Sequence, residues 1–168
     1  MSTTDLSAYD PSQVPSGAGL TIGIAVSGWN PQITENLYRG AFDTLTELGV
    51  SRQAIHRVDV PGSFELIYAA SLMQADKRYD ALVVLGSVIR GETPHFEYIC
   101  SAVAQGIGSL NASAGAGHLP PVIFGVLTDN DMDQARDRSG GRLGNKGVEC
   151  AVDAIRMAHV RKNIRKIK

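Results

Sequence analysis

The residues with the clearest chemical promise lie together in Gly91-Glu92-Thr93-Pro94-His95-Phe96. Thr93-Pro94 reads as a helix opening, with Thr as N-cap and Pro at the first helical position. Free backbone N–H groups, a hydroxyl and the positive end of a helix dipole suit a phosphate, so Gly91, Glu92 and Thr93 form a candidate anion loop. His95 follows two residues into that helix, and imidazole is the side chain suited to proton transfer near neutral pH. Taken singly, each feature has a plainer reading, a capped helix start with no ligand and a structural histidine. Their adjacency favours the chemical one.

Other segments carry groups of complementary kind. Trp29, the only tryptophan, sits in Ser27-Gly28-Trp29-Asn30 and could stack on a flat heterocycle or fill a core edge. Pro61-Gly62-Ser63-Phe64-Glu65 offers a carboxylate, either for ligand hydroxyls or merely near a helix start. Arg138 and the glycine-rich Gly140–Gly147 stretch could clamp an anion, or form only a helix end and a flexible turn.

These segments must be positioned by regular elements, and the pattern supplies them. Apolar, β-branched runs predict strands over Leu20–Val26, Ile55–Val60, Ala81–Ile89 and Val122–Leu127. Helical spacing predicts helices over Thr34–Leu48 with Gly49 as its C-cap, Phe64–Lys77, Thr93 to about Leu110, and Asp131–Arg138. A last helix carries Val148, Val152, Ile155 and His159. Asn111–Leu119 reads as a small-residue loop. Regular βα alternation predicts a parallel sheet covered by helices on both faces. In such sheets ligands bind beyond the carboxyl ends of the strands. The first three chemical segments follow strands directly, and the fourth strand exits through Thr128-Asp129-Asn130 and leads on to Arg138 and Gly140–Gly147, so all are expected at that edge.

Bulk properties narrow the classes. With 168 residues, 43% hydrophobic and 20% charged, one soluble domain is expected. A net charge of −1 gives no basic field to draw in nucleic acid. No apolar run reaches the ~20 residues of a membrane helix. Residues 1–19 lack the pattern of a secretory signal, so the protein is expected in the cytoplasm. Two cysteines, Cys100 and Cys150, lie far apart and suggest buried thiols rather than a disulfide or zinc site. The expected layout is a flexible segment over 1–19, one domain over 20–160 and a basic tail over 161–168. That tail carries five cations and no acid, and reads as a solvated end favourable to a helix C-terminus.

Several familiar motifs fail. Gly144-Asn145-Lys146-Gly147 lacks the Gly-Lys pair and hydroxyl of a P-loop. No GxGxxG follows a strand. His95-Phe96-Glu97 has the H-x-E form of zinc deaminases, but no PCxxC accompanies it. Ser63 is not in a GxSxG elbow.

The segments SGWN, VPGSFE, LGSVIRGETPHFEYIC, PVIFGVLT and DRSGGRLGNKGVECA resemble those of the lumazine synthases, in family order from Ile22 to Val160. The resemblance implies a flavodoxin-like three-layer α/β/α fold with a four-stranded parallel sheet. It implies condensation of 5-amino-6-(D-ribitylamino)uracil with 3,4-dihydroxy-2-butanone 4-phosphate, without metal or organic cofactor. It implies homopentamers whose active sites lie between neighbours, closing in some members into an icosahedral capsid, and admits association with riboflavin synthase. Trp29 matches the aromatic stacked on the pyrimidine, with Asn30 beside it. Ser63 and Glu65 match ribityl-contacting positions, and Ser87, Val88 and Ile89 the wall beside the ring. Gly91, Glu92 and Thr93 match the phosphate loop, and His95 the proton-transfer residue. Phe124, Arg138 and Lys146 match residues from the neighbouring subunit, Arg138 being the phosphate-binding arginine.

The chain departs from the family pattern in places. Trp29 stands where many members have Phe, which suits some affinity for flavins. Arg142 replaces a common Lys. The Asn111–Leu119 loop is longer than in compact members. The short Gly140–Asn145 connection favours the larger assembly. Two rival readings are a flavin- or phosphate-binding module without catalysis, and a shell protein that has lost it. Both would leave His95 and the arginine clamp idle.

Overall fold

The computed structural model describes residues 5–164, apart from the side chain of residue 116. Strands β1 (Ile22–Ser27), β2 (Ile55–Val60), β3 (Ala81–Ile89) and β4 (Val122–Asp129) form one parallel sheet in the order β2-β1-β3-β4. Helices α1 (Pro31–Glu47), α4 (Met132–Arg138) and α5 (Lys146–Ile164) cover one face. Helices α2 (Leu66–Ala75) and α3 (His95–Gly117) cover the other. This is the flavodoxin-like three-layer α/β/α arrangement that the resemblance implies, built on the parallel sheet with helices on both faces that the alternating pattern predicts.

Period-two alternation divides the core. Ile22, Ile24 and Val26 of β1 and Ala81, Val83 and Leu85 of β3 point toward α1 and α5. Ala25, Leu82 and Val84 point toward α2 and α3. All of β1 is buried, as a strand covered on both faces must be. The register pairs Val26 with both Asp59 and Leu85, so β1, β2 and β3 deliver their exits to the same sheet edge.

A short antiparallel hairpin, β5 (Ser139–Gly141) with β6 (Gly144–Asn145), links α4 to α5. Its exit needs Gly147, because a Cβ there would stand 1.9 Å from the Leu37 carbonyl oxygen of α1. That close approach fixes the start of α5, and with it Lys146, against α1.

The structure corrects several expectations. Residues 111–117 are not a loop, since α3 runs on to Gly117 and closes with His118 in a left-handed conformation. Alanine is the strongest helix former, and Asn111 turns its amide outward to pair with both backbone groups of Val122, each at 2.8 Å. The Thr93 N-cap is displaced by one residue, because Pro94 occupies the cap position and no side chain bonds there. Helix α1 begins at Pro31, three residues before Thr34, after Asn30 in the left-handed region (φ 54°). Pro at the first helical position was the signal for that start. Gly140–Gly147 is a hairpin rather than a flexible turn. Residues 161–164 continue α5 as its last turn, with Arg161 Nε donating to the His118 carbonyl at 2.9 Å and residues 162–164 exposed. Residues 165–168 lie outside the described residues. The segment over 5–19 rests on the domain: Leu6 N donates to the Leu143 carbonyl and Gly17 N to that of Leu48. Among the described residues no helix is long and apolar enough to cross a membrane.

Candidate active site

The exits of β1, β2 and β3 enclose a cleft of about 600 Å³. Trp29, Asn30, Gly62, Ser63, Phe64, Glu65, Ser87, Val88, Ile89, His95 and Ile99 line it. Eight residues expected from the sequence thus meet in one place: Trp29, Asn30, Ser63, Glu65, Ser87, Val88, Ile89 and His95.

Local structure explains how they meet. The left-handed Asn30 turns the chain sharply from β1 into α1, and its Nδ2 donates to the Ser87 carbonyl at 3.1 Å. That bond ties the β1 exit to β3. Gly62 separates Trp29 from Glu65: a Cβ there would lie 3.2 Å from Trp29 Cδ1 and 2.9 Å from Glu65 Oε2. The indole is 70% exposed, a large apolar surface standing in water at the cleft mouth rather than a core edge. The hydroxyls of Ser63 and Ser87 are buried and have no hydrogen-bond partner among the described residues. A buried polar group left unpaired costs about 1–3 kcal/mol. Both hydroxyls belong to residues that line the cleft, and Ser63 Oγ packs beside Gly86 of β3, 2.6 Å from where a Cβ there would stand. Ser27 carries a third such hydroxyl.

Gly91, Glu92 and Thr93 form the exposed connection between Ile89 and His95, both of which line the cleft. No atom lies within 4 Å of where a Cβ on Gly91 would stand, so the backbone there is open to an approaching anion. His95 is the first residue of α3 and is exposed. Arg90 beside this loop is occupied: it pairs with Glu97, its Nε donates to Asn130 Oδ1 at 3.0 Å, and its guanidinium lies 4.4 Å over the Phe96 ring. The Glu97 carboxyl is held below the usual carboxylate range, chiefly by hydrogen bonding to Arg90.

Phe124, Arg138 and Lys146 do not line this cleft. Phe124 sits half-buried on the edge strand β4, packed on the α2/α3 side. Arg138 ends α4 and Lys146 begins α5, in the layer on the opposite face of the sheet. There they form their own cluster. Arg138 Nη2 donates to Glu149 Oε1 at 2.5 Å, Lys146 Nζ reaches Glu149 Oε2 at 2.9 Å, and Arg138 Nη1 donates to the Leu143 carbonyl at 2.8 Å. Glu149 was not singled out from the sequence, where it reads as one of several acids on an amphipathic helix. Its lying three residues after Lys146 on α5 was the available signal. Asp129, at the end of β4, was also missed. Its Oδ2 is buried without a partner, and burial raises its carboxyl, with Arg138 opposing.

The thiols have no nucleophilic setting. Burial pushes Cys150 up to about 12 and also raises Cys100, which is half-buried. Among the described residues no three His, Cys, Asp or Glu side chains converge as metal ligands.

Comparison with known proteins agrees across nearly the whole chain. The family model for 6,7-dimethyl-8-ribityllumazine synthase matches residues 19–162. A protein of that name from Christiangramia forsetii is 50% identical over 160 residues, covering 95% of this chain and 93% of that protein. One from Flavobacterium johnsoniae is 51% identical, covering 94% and 80%. Another from Porphyromonas gingivalis is 52% identical, covering 92% and 93%.

Proposed function

We propose, starting from the fact that this chain belongs to the 6,7-dimethyl-8-ribityllumazine synthase family of riboflavin biosynthesis, that it is a transferase. It joins 5-amino-6-(D-ribitylamino)uracil to 3,4-dihydroxy-2-butanone 4-phosphate and forms 6,7-dimethyl-8-ribityllumazine. The observation that carries this reading is the cleft itself. One wall offers an exposed indole for a flat pyrimidine, Glu65 with two unpaired serine hydroxyls for a polyol, and His95 beside an open backbone loop for a phosphate ester.

The chemistry runs in balanced steps. The 5-amino group adds to the ketone, and loss of one water gives an imine. Phosphate leaves by elimination, taking the bonding pair, after a proton is removed from the adjacent carbon. Elimination leaves an enol at the carbon that bore the hydroxyl, and it tautomerises to a new ketone. The ribityl-bearing nitrogen adds to that ketone, and a second water departs as the ring closes. No enzyme nucleophile is required, in keeping with the raised thiols. Holding two reactants in register contributes as much as ~7–11 kcal/mol in well-oriented cases. Acid–base help from His95 adds about 10²–10⁴-fold at most. Positioning dominates.

The phosphate clamp of Arg138 and Lys146 comes from a neighbouring subunit. Support lies in the sheet, which separates these cations from the cleft of their own chain. Further support is the exposed set of Phe64 in the turn before α2, Tyr68 and Leu72 on α2, and Tyr98 on α3, an apolar surface suited to burial against a second copy. A ring of five such subunits is the assembly proposed. Incubating the protein with both substrates tests the reaction. Appearance of the fluorescent pteridine with release of inorganic phosphate is expected, and a protein that binds both substrates without product overturns it.

A further inference from the structure

We infer that Asp5, Leu6 and Ser7 are a positioning strap, which holds the β5–β6 hairpin so that Arg138 and Lys146 are set for the phosphate of the substrate. The inference rests on the proposed reading of those two cations as a phosphate clamp.

The strap touches the hairpin at the residues that flank both cations. Leu6 N donates to the Leu143 carbonyl at 3.2 Å. The same carbonyl accepts from Arg138 Nη1 at 2.8 Å. One oxygen therefore joins the N-terminal backbone to the guanidinium. One residue further on, Asn145 N donates to Ser7 Oγ at 3.0 Å. Asn145 precedes Lys146 and holds the start of α5 through its Oδ1, which accepts from Gly147 N at 2.8 Å. Its Nδ2 donates to the Asn36 carbonyl of α1 at 3.0 Å.

The Ser7 hydroxyl is used in both senses. It accepts from Asn145 N and donates to Asp5 Oδ1 at 2.7 Å, while Ser7 N also donates to that oxygen at 2.8 Å. The Asp5 carboxylate thus orients the hydroxyl that receives the hairpin. Gly144 is shaped to admit it: φ is +83°, and a Cβ there would stand 2.1 Å from Asp5 Oδ1 and 2.4 Å from Ser7 Oγ. Strap and hairpin are therefore fitted at the level of single atoms.

An internal control exists. Asp10 and Ser12 repeat the local turn, with Ser12 N and Oγ donating to Asp10 Oδ1 at 2.9 and 2.7 Å. Among the described residues those two side chains make no hydrogen bond to the hairpin; their turn opens a 3-10 helix over Pro11–Gln13 instead.

The test compares Ser7→Ala, Ser7→Thr and Ser12→Ala in the intact assembly, with inorganic phosphate as the probe. Its affinity is read by calorimetry and as a competitive inhibitor of the keto-phosphate. Ser7→Ala is expected to weaken phosphate and raise KM for the keto-phosphate by about 2–10-fold, the worth of one ordinary hydrogen bond. KM for the uracil and kcat should stay within about twofold, well inside the same range. Ser7→Thr keeps the hydroxyl and should remain near wild type, as should Ser12→Ala. Unchanged phosphate affinity in Ser7→Ala overturns the strap, and so does an equal rise in both Michaelis constants. If the wild-type protein makes no lumazine, the reading of the reaction fails. Phosphate calorimetry on the same variants still decides the strap.

Discussion

The cleft and the cation cluster are built on opposite principles. The cleft leaves its groups unspent: an indole in solvent and two buried hydroxyls without partners. The cluster leaves almost nothing unspent, since Arg138 is held by Glu149 and the Leu143 carbonyl and Lys146 shares the same carboxylate. Arg138 and Glu149 are only 16% and 21% exposed. A surface that meets a neutral, variable polyol and ring gains from open hydrogen-bond capacity. A surface that meets a phosphate gains from fixed charge, because a guanidinium locked in place loses little entropy on binding. Two cations against one carboxylate leave a net positive site even before substrate arrives.

The difference can be broken from either side. The largest effect is expected at His95, the residue proposed to transfer protons in the cleft. His95→Ala should lower kcat by about 10–10³-fold while proximity preserves a residual rate. Stopped-flow measurement of lumazine formation checks it, and an unchanged kcat would remove His95 from the mechanism. A smaller effect is expected at Arg138, proposed as part of the phosphate clamp. Arg138→Ala should raise KM for the keto-phosphate about 10–100-fold, as for loss of a charge-assisted hydrogen bond. KM for the uracil should move little. Arg138→Lys should recover only part of the loss, because Lys offers a point charge in place of a planar fork. Equal changes in both Michaelis constants would place Arg138 outside the phosphate contact.

The two regions also differed in how far the sequence disclosed them. Trp29, Asn30, Ser63, Glu65 and His95 follow strands, and the strand-exit rule collects them from the sequence; Ser87, Val88 and Ile89 lie within β3 and were named through the family resemblance alone. The ends of β1 and β3 are easy to place because these two central strands are continuous apolar runs. The Glu149 bridge was not legible, because an acid on α5 looks the same whether it faces water or two cations. Asp129 was hidden for a related reason: its burial depends on α4 folding back over the end of β4. The extension of α3 through Gly117 was masked by small residues. Asn-Ala-Ser-Ala-Gly-Ala-Gly reads as a loop by composition, yet the tertiary pairing of Asn111 with Val122 holds it helical. The strap could not be seen either, since Ser7 and Asn145 are 138 residues apart.

Trp29 sharpens the comparison on the cleft side. As the only tryptophan, it gives a single fluorescence source. Binding of a ribityl-pyrimidine analogue should quench it, and Trp29→Ala should raise KM for the uracil by about 3–10-fold, within the range of aromatic stacking. KM for the keto-phosphate should hold. An analogue that binds by calorimetry and leaves the emission unchanged would put the ring elsewhere.

The smallest expected effect is the most informative about assembly. An Arg138→Ala protein and a His95→Ala protein are each impaired, one in the cluster and one in the cleft. If one chain supplied both groups to one site, every site in a mixed ring would keep one defect, and mixing would change nothing. If the sheet separates them and the cluster serves the next subunit, some sites in a mixed ring pair an intact His95 with an intact Arg138. For random exchange at equal mixing in a ring with head-to-tail interfaces, about a quarter of sites are doubly intact. Assayed at keto-phosphate below the wild-type KM, where the Arg138→Ala defect is expressed, activity should then rise to about a quarter of wild type, above either parent. Native mass spectrometry, with one variant isotopically labelled, must show that the rings have mixed. Mixed rings without a gain would mean that the cation cluster and the cleft do not meet across an interface. The opposite-face placement of Arg138 and Lys146 would then mark a structural ion cluster, and the phosphate would have to be held by Gly91, Glu92 and Thr93 alone.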